Sequence, residues 1–253
     1  MVVVEAESRL VLKNFTDTEI VDSRGRPVFP HVMIIDGNDD RGIDVGVISR
    51  SEWSLGKIRS HVDNPGPSRA SSPLFSRDCP VYEYAFPADS GLAGETLYVL
   101  PNHLKSKFGS KQEASDQKRR LQAQRVAEIY RSLVDEEGAR YVVVAGDLND
   151  TPDSDPLAPL LADTDLVDIA AVPGIEFSDG GRPGTFANGT ASQKIDYVLV
   201  SPGLADRVIG GGVFRKGVWG GKNGDLFEHF DTITRPAEAA SDHAAIYADI
   251  RLD

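Results

Sequence analysis

The sequence predicts an α/β fold, more narrowly α+β, in which two packed sheets carry helices on their outer faces. Two observations lead to this prediction: short strand-like runs recur along the 253 residues, and only one long helical pattern interrupts them. Loops rich in Gly, Pro, Asp and Asn separate the runs, which is typical of sheets connected by turns. Because no internal repeat or clear linker divides the chain, we expect one domain over residues 1–253.

Eight runs are predicted as strands. In chain order they are MVVVE at the start, HVMIID from His31, GIDVGVIS from Gly42, PVYEYAF from Pro80, ETLYVLPN from Glu95, YVVVAGD from Tyr141, QKIDYVLVS from Gln193 and AAIYADIRL from Ala244. Several of them alternate, as in Val81-Tyr82-Glu83-Tyr84, and this alternation is typical of half-buried antiparallel strands.

One helix is predicted between Gln112 and Glu137, and Gly138 follows as a stop signal. Its apolar side chains fall near one face and its charged side chains largely elsewhere. The apolar positions are Leu121, Val126, Ile129, Tyr130, Leu133 and Val134, and the charged positions are Lys118, Arg119, Arg125 and Glu128.

The composition describes a globular protein that is acidic overall. With 27 Lys and Arg against 39 Asp and Glu, the formal net charge is −12. This balance argues against a passive nucleic-acid-coating protein, which must neutralise many phosphates, but not against an enzyme whose carboxylates hold a cation. The single cysteine, Cys79, excludes an internal disulfide and a cysteine-based zinc cluster. No apolar run reaches the roughly twenty residues of a transmembrane helix.

Polar residues gather at the ends of the predicted strands. Glu5 closes the first run, Asn102 and His103 close LYVLP, Asp147 and Asn149 close YVVVAG, Asp196 lies within KIDYVLV, and Asp242 and His243 precede the last strand in SDHAAIY. Each residue alone is also explained by a purely structural role. In VVVAGDLNDTP, for example, Gly, Asp and Asn favour a turn that Thr151-Pro152 would close. Their joint occurrence instead indicates a metal and phosphate site.

The same stretches carry a resemblance that covers nearly the whole chain. VVVEAE, GIDVGVISR, FSRDCPVYEY, LPNHLKSK, GDLND, KIDYVLVS and SDHAAI occur in order between residues 2 and 250. In this respect the chain resembles the endonuclease/exonuclease/phosphatase superfamily, the deoxyribonuclease I-like metal-dependent phosphodiesterases that include the apurinic endonucleases. NHLKSK and the following RRLQAQRVAEI are most similar to the bacterial extracellular-nuclease branch. The resemblance implies a four-layer α/β/β/α sandwich of two mixed, mostly antiparallel sheets, with the site at one edge.

The resemblance also implies a metal-dependent mechanism. Phosphodiester cleavage needs an attacking water, a stabilised transition state and protonation of the leaving oxygen. Mg²⁺ suits the second task because it prefers oxygen ligands and binds phosphate, and Mn²⁺ or Ca²⁺ are alternatives. Glu5 and Asp242 resemble the metal-binding carboxylates of the family. Glu7 is an alternative metal ligand to Glu5, because residues two positions apart share a face of an extended strand.

Roles for the other residues follow from the same resemblance. We expect His243 to be the general base, oriented by Asp196, although Asp147 is the base in some mechanisms proposed for the family. Asn149 would orient the phosphate or the nucleophile, and His103 would protonate the leaving group or bind the phosphate. Asn102, Arg77 and Lys105 are the expected phosphate or substrate contacts.

One feature departs from the family pattern. Members usually begin with a strand that bears an asparagine near the metal, followed by a helix, whereas this sequence starts at the strand ending in Glu5. We therefore expect an N-terminally short domain without that first strand, helix and asparagine, and without a signal peptide, although the resemblance favours a secreted bacterial protein.

Three functions follow from these observations. The first is a monomeric nuclease that cleaves DNA or RNA by water attack. The second is a phospholipid or phosphoinositide phosphodiesterase, or a phosphatase of the same family. The third is a catalytically impaired family member that binds phosphate-containing partners.

Overall fold

The computed structural model describes residues 1–67, 73–107 and 111–253. Within these ranges the strands are β1 (Val2–Ala6), β2 (His31–Ile34), β3 (Asp44–Ser49), β4 (Ser54–Arg59), β5 (Val81–Ala85), β6 (Thr96–His103), β7 (Tyr141–Asp147), β8 (Val167–Asp168), β9 (Glu176–Ser178), β10 (Asp196–Val200), β11 (Val208–Phe214) and β12 (Ala245–Ile250). The α-helices are α1 (Arg9–Thr18), α2 (Gln112–Asp135), α3 (Ala158–Leu161) and α4 (Pro202–Ala205). No helix in the described part of the chain is long and apolar enough to cross a membrane.

The described strands form three hydrogen-bonded sheets rather than the expected two. The largest has six strands in the order β4-β5-β6-β7-β10-β8, and the two others have the orders β1-β3-β2 and β12-β11-β9. Pairing is antiparallel except between β6 and β7 and between β9 and β11. The second β layer is therefore divided, because β1 and β12 are the edge strands of different sheets.

Four layers result from how these sheets pack. Helix α2 buries its apolar face, including Val126 and Leu133, against one side of the six-stranded sheet. The two three-stranded sheets cover the other side, with β1 and β3 facing β6 and with β12 facing β10. Helix α1 packs Leu12 on the outer face of the β1-β3-β2 sheet, against Val32 and Ile48. The α/β fold class and its sandwich arrangement are thus confirmed.

All eight predicted strands and the long helix are present, whereas several elements were not predicted. Helix α1 was not predicted; it buries Leu12 and Thr16, whereas Leu10, Val11 and Phe15 are exposed. Strand β11 was missed because its centre is Gly210-Gly211-Gly212. A Cβ at Gly212 would lie 2.4 Å from the Ser178 carbonyl of the neighbouring strand, so the close approach of the two strands explains this glycine.

Candidate active site

Three neighbouring strands of the six-stranded sheet bring His103, Asp147 and Asp196 together. In the parallel pair β6-β7, His103 is the register partner of Asp147, because both strands end at the same edge. In the antiparallel pair β7-β10, Asp196 is the register partner of the same Asp147, because β10 starts where β7 ends. The topology therefore places three polar residues side by side across the edge of one sheet.

His243 joins this group from the segment before β12. Its Nδ1 lies 2.8 Å from Oδ2 of Asp196, so the predicted contact between these two residues is confirmed. Ligand atoms of Asp147, Asp196 and His243 all lie within 4.8 Å of one another. The ring of His243 also packs against Phe186, with 4.9 Å between the ring centroids. The side chain keeps 26% exposure, so it is open to a substrate or water.

Asp147 and Asn149 form both the turn and a part of the site. Oδ1 of Asp147 accepts the backbone N–H of Asn149 at 2.8 Å, which is the hydrogen bond of an Asx turn. Oδ2 accepts the Asn149 side-chain amide at 2.9 Å, and the same amide donates to the Leu104 carbonyl at 3.1 Å. Asn149 adopts a left-handed backbone (φ 58°), which Asn tolerates better than most residues. The two residues thus hold each other at the sheet edge.

Glycine is required immediately before Asp147. Gly146 has a φ of 133°, and a Cβ at this position would lie 2.0 Å from the Asn102 carbonyl. Any side chain would push β7 away from β6, which carries His103. The Gly-Asp pair therefore allows Asp147 to stand directly beside His103.

The electrostatics of the group are dominated by burial and by crowded carboxylates. Burial and the adjacent Asp196 charge raise the pKa of Asp147, against the opposing influence of His243, the Asn149 N–H and Arg77. Burial lowers the pKa of His243, but the hydrogen bond and charge of Asp196, with the charges of Asp147 and Asp242, outweigh it and raise the pKa to about 9. A cation held among these carboxylates would oppose both shifts.

His103 is buried between the acidic group and an arginine. Its Nε2 lies 3.5 Å from Oδ2 of Asp147 and 3.9 Å from Oε1 of Glu5. Burial, together with the charges of Arg77, His243 and Arg41, lowers its pKa to about 3, so the ring is neutral at physiological pH. A neutral ring can donate a hydrogen bond to a phosphate oxygen, whereas proton donation to a leaving group would require His103 to be charged first.

The two predicted metal-binding carboxylates are both exposed. Glu5 lies in an irregular stretch of β1 with a φ of 58° and keeps 60% side-chain exposure, which leaves its carboxylate open beside His103. Such a backbone is uncommon for a residue other than glycine and is found at functional sites. Asp242 is exposed and lies close enough to His243 to influence its pKa. Glu7 is also exposed.

Asn102, a predicted substrate contact, lies in the core and not at the site. It is 1% exposed, its amide donates to the Leu100 carbonyl at 3.0 Å, and it lies beside the thiol of Cys79. The reason is strand geometry: neighbouring residues of β6 point to opposite faces, so His103 faces the site and Asn102 faces the core. The expectation that Asn102 contacts phosphate is therefore corrected.

Arg77 lies at the site in a chain of charged groups that also includes Asp39 and Arg41. Its guanidinium is 5% exposed and donates to the Leu104 carbonyl at 2.7 Å and to Asp39 at 3.0 Å. Asp39 in turn accepts Nε and Nη2 of Arg41 at 2.9 and 3.0 Å. The side chain of Arg41 is 66% exposed. Lys105 lies near both arginines, and burial and their charges lower its pKa. This side of the site is therefore cationic.

The donor atoms present fit a divalent cation. Asp147 and Asp196 offer carboxylate oxygens within 4.8 Å of each other, and such oxygen ligands bind Mg²⁺ or Mn²⁺ with waters in the remaining positions. The exposed carboxylate of Glu5 lies on the far side of Asp147, beside His103. This arrangement leaves two ways to hold the cation, one centred on Asp147 and Asp196 and one centred on Glu5.

Comparison with known proteins identifies the family of this chain. A model of the Endonuclease/Exonuclease/phosphatase family matches residues 1–169, which is more than half of the chain. The chain belongs to this family. The match confirms the superfamily resemblance, whereas the extracellular-nuclease branch is not confirmed. Members of the family are generally dependent on divalent metals and act on phosphate esters. No curated protein sequence matches the chain.

Solved structures of family members have the same fold. A mannosyl-6-phosphatase of Bacteroides thetaiotaomicron is 16% identical, with a TM-score of 0.64, over 98% of this chain and 84% of that one. Truncated TDP2 of Caenorhabditis elegans is 17% identical, with a TM-score of 0.59, over 97% and 81%. An endonuclease/exonuclease/phosphatase from Bacteroides vulgatus is 17% identical, with a TM-score of 0.59, over 91% and 78%. At these identities the likeness concerns the fold alone.

Several residues at the site were not found from the sequence. Asp39 and Arg41 lie in the acidic loop GNDDRG before β3, where nothing in the local pattern distinguishes them from solvated charges. Arg119 was expected to lie off the apolar face of α2, yet it is fully buried, where it donates to Asp150 at 2.9 Å and to the Lys105 carbonyl at 2.7 Å. It thereby ties the loop after β6 to the loop after β7.

Proposed function

We propose that this chain hydrolyses phosphodiesters with the help of a divalent cation, and that its substrate is DNA or RNA. The observation that carries the proposal is the 2.8 Å contact between Asp196 and His243 beside the buried carboxylate of Asp147. A carboxylate that accepts Nδ1–H leaves Nε2 of the same ring free to take a proton from water.

The proposed reaction needs a proton acceptor, an oriented phosphate and a protonated leaving group. Water attacks phosphorus as its proton passes to Nε2 of His243, and the bond from phosphorus to the leaving oxygen breaks. The leaving oxygen takes a proton from solvent water, and His243 returns its proton to solvent. The neutral ring of His103 orients a phosphate oxygen, and the buried Arg77 provides positive charge next to it. Asn149 donates its side-chain amide to the Leu104 carbonyl and to Asp147, so its role is to hold the Asp147 carboxylate in place. A cation bound by the carboxylates supplies charge stabilisation in the transition state.

The substrate part of the proposal has separate support. The extracellular-nuclease branch is favoured by the similarity of NHLKSK and of the helix after it. A phosphatase acting on a sugar monoester is the second candidate, because the fold matches a mannosyl-6-phosphatase over 98% of the chain. An impaired phosphate-binding protein is the third candidate.

Hydrolysis of bis(p-nitrophenyl) phosphate tests the chemistry. We expect turnover with Mg²⁺ or Mn²⁺ and its loss with a chelator. Plasmid DNA, RNA and mannose 6-phosphate, assayed in parallel, separate nuclease from phosphatase. If neither the diester nor any of these substrates turns over at saturating metal, the proposal is wrong and the impaired protein is favoured.

The pH dependence of the rate tests the choice of base. If His243 is the base, the rate rises with pH, and Asp196→Asn lowers both the rate and the apparent pKa because the ring loses its negative partner. Asp147→Asn should lower the rate, and it should lower the pH midpoint less than Asp196→Asn does, because the Asp147 charge contributes less to the raised pKa of His243. The opposite pattern, in which Asp147→Asn loses the pH dependence and His243→Ala retains it, would assign the base role to Asp147.

A further inference from the structure

Thr185, in the loop between β9 and β10, contacts the Asp196 and His243 pair through buried hydrogen bonds. The residue is 2% exposed. Its hydroxyl donates to Oδ2 of Asp196 at 2.6 Å, and this is the same oxygen that faces Nδ1 of His243 at 2.8 Å. One carboxylate oxygen is thus held by two partners.

The direction of the Thr185 hydroxyl hydrogen is fixed by its surroundings. A hydroxyl has one hydrogen to donate and two lone pairs that accept. The backbone N–H groups of Asp196 and Ile195 donate to Oγ1 at 3.1 and 3.3 Å. Because these two donors occupy both lone pairs, the hydrogen of Thr185 must point to the third neighbour, the Asp196 carboxylate.

The backbone of Thr185 holds the other member of the pair. The N–H of Ala244, the residue after His243, donates to the Thr185 carbonyl at 2.7 Å. The Thr185 N–H donates to the Gln193 carbonyl at 3.0 Å, three residues before Asp196. A single residue therefore links the segment that carries the carboxylate to the segment that carries the imidazole.

We propose that Thr185 is a positioning residue that holds the Asp196 carboxylate in the orientation that faces His243. The proposal rests on the proposed function, in which this pair takes up the proton of the attacking water. Without the hydroxyl, the carboxylate keeps its charge but loses the contact that fixes its rotation. Residues that orient a functional group in this way typically contribute about 10–100-fold to activity.

The test compares Thr185→Val, which keeps the shape of the side chain, with Thr185→Ser, which keeps the hydroxyl. We expect Thr185→Val to lower kcat by about 10–100-fold at unchanged KM for bis(p-nitrophenyl) phosphate, and Thr185→Ser to retain most of it. Thr16→Val is the matched control, because Thr16 is also buried and its hydroxyl donates to the Lys13 carbonyl at 3.0 Å in α1. A loss in Thr185→Val no greater than in Thr16→Val would overturn the proposal.

A second measurement needs no turnover. In proton NMR of the metal-free protein at one fixed pH, the His243 Nδ1–H should give a slowly exchanging downfield signal, absent in His243→Ala. In Thr185→Val this signal should be lost through exchange with water, whereas Thr185→Ser should keep it. If Thr185→Val does not fold, Thr185→Ala takes its place. A wild-type protein without turnover refutes the proposed function, whereas an unchanged signal in Thr185→Val or Thr185→Ala refutes the role of Thr185.

Discussion

Oδ2 of Asp196 and Nδ1 of His243 lie 2.8 Å apart, although 47 positions separate the two residues in the chain. Asp196 begins an interior strand of the large sheet, and His243 precedes the edge strand of a smaller sheet. The packing of β12 over β10 and the backbone hydrogen bonds of Thr185 bring them together. Removal of one partner should therefore change the properties of the other.

The pH dependence of stability follows from the raised pKa of His243. Because the pKa of His243 in the folded protein, about 9, exceeds the ordinary histidine pKa of about 6.5, proton binding favours the folded state. The resulting stabilisation is complete below pH 6.5 and is lost as the pH rises through about 9. Urea denaturation of the metal-free protein should show the free energy of unfolding falling across this window, and His243→Ala should show a smaller fall. Parallel curves for the two proteins would contradict the prediction.

Asp147→Asn should lower activity and raise stability. The raised pKa of Asp147 means that its charged form is disfavoured in the fold, by burial and by the Asp196 charge. Since an amide carries no charge, the variant should have a higher Tm than the wild type at pH 8 in the absence of metal. Turnover should fall by about 100-fold or more, as when a group that stabilises a transition state is removed. Calorimetry measures the Tm and a kinetic assay measures the turnover. A Tm below that of the wild type would contradict the prediction that the Asp147 charge destabilises the fold.

Glu5→Gln should weaken the response to metal without unfolding the protein. The carboxylate is exposed and faces His103 at 3.9 Å, so its loss affects the site and leaves the core intact. At low Mg²⁺ we expect turnover about 10–100-fold below the wild type, with partial recovery as Mg²⁺ increases. Glu7→Gln, which changes an exposed carboxylate two residues away, is the control and should behave as the wild type. If Glu7→Gln weakens the response to metal and Glu5→Gln behaves as the wild type, Glu7 is the metal ligand.

Arg41→Ala should raise KM for anionic substrates. Arg41 is held by Asp39 and adjoins the buried Arg77, while its exposed side chain is free to meet a phosphate. We expect KM to rise about tenfold with little change in kcat, because one charge-assisted contact is lost. Arg26→Ala is a matched control: Arg26 is 68% exposed and binds Asp22 through Nε and Nη2. Equal effects of the two substitutions would exclude a direct contact by Arg41.

Local patterns in the sequence determined most of the elements. Alternation and apolar runs are properties of neighbouring residues, so all eight predicted strands and helix α2 follow from them. Two of the exceptions are explained by packing: α1 exposes apolar side chains, and Gly211 and Gly212 of β11 are required by the close approach of the neighbouring strands. Both features depend on what packs against the element, which no local pattern records.

The sequence by itself also determined which residues stand at strand ends, including His103, Asp147, Asp196 and His243. The tertiary structure alone decided how they are arranged. Strand register placed Asp147 between His103 and Asp196, while the alternation of β6 turned Asn102 into the core. Thr185 and Arg119 have no signal in the sequence because their roles consist of contacts with distant segments. Hydrogen bonds and charges act over a few ångströms in space, so they are decided by the fold and not by position along the chain.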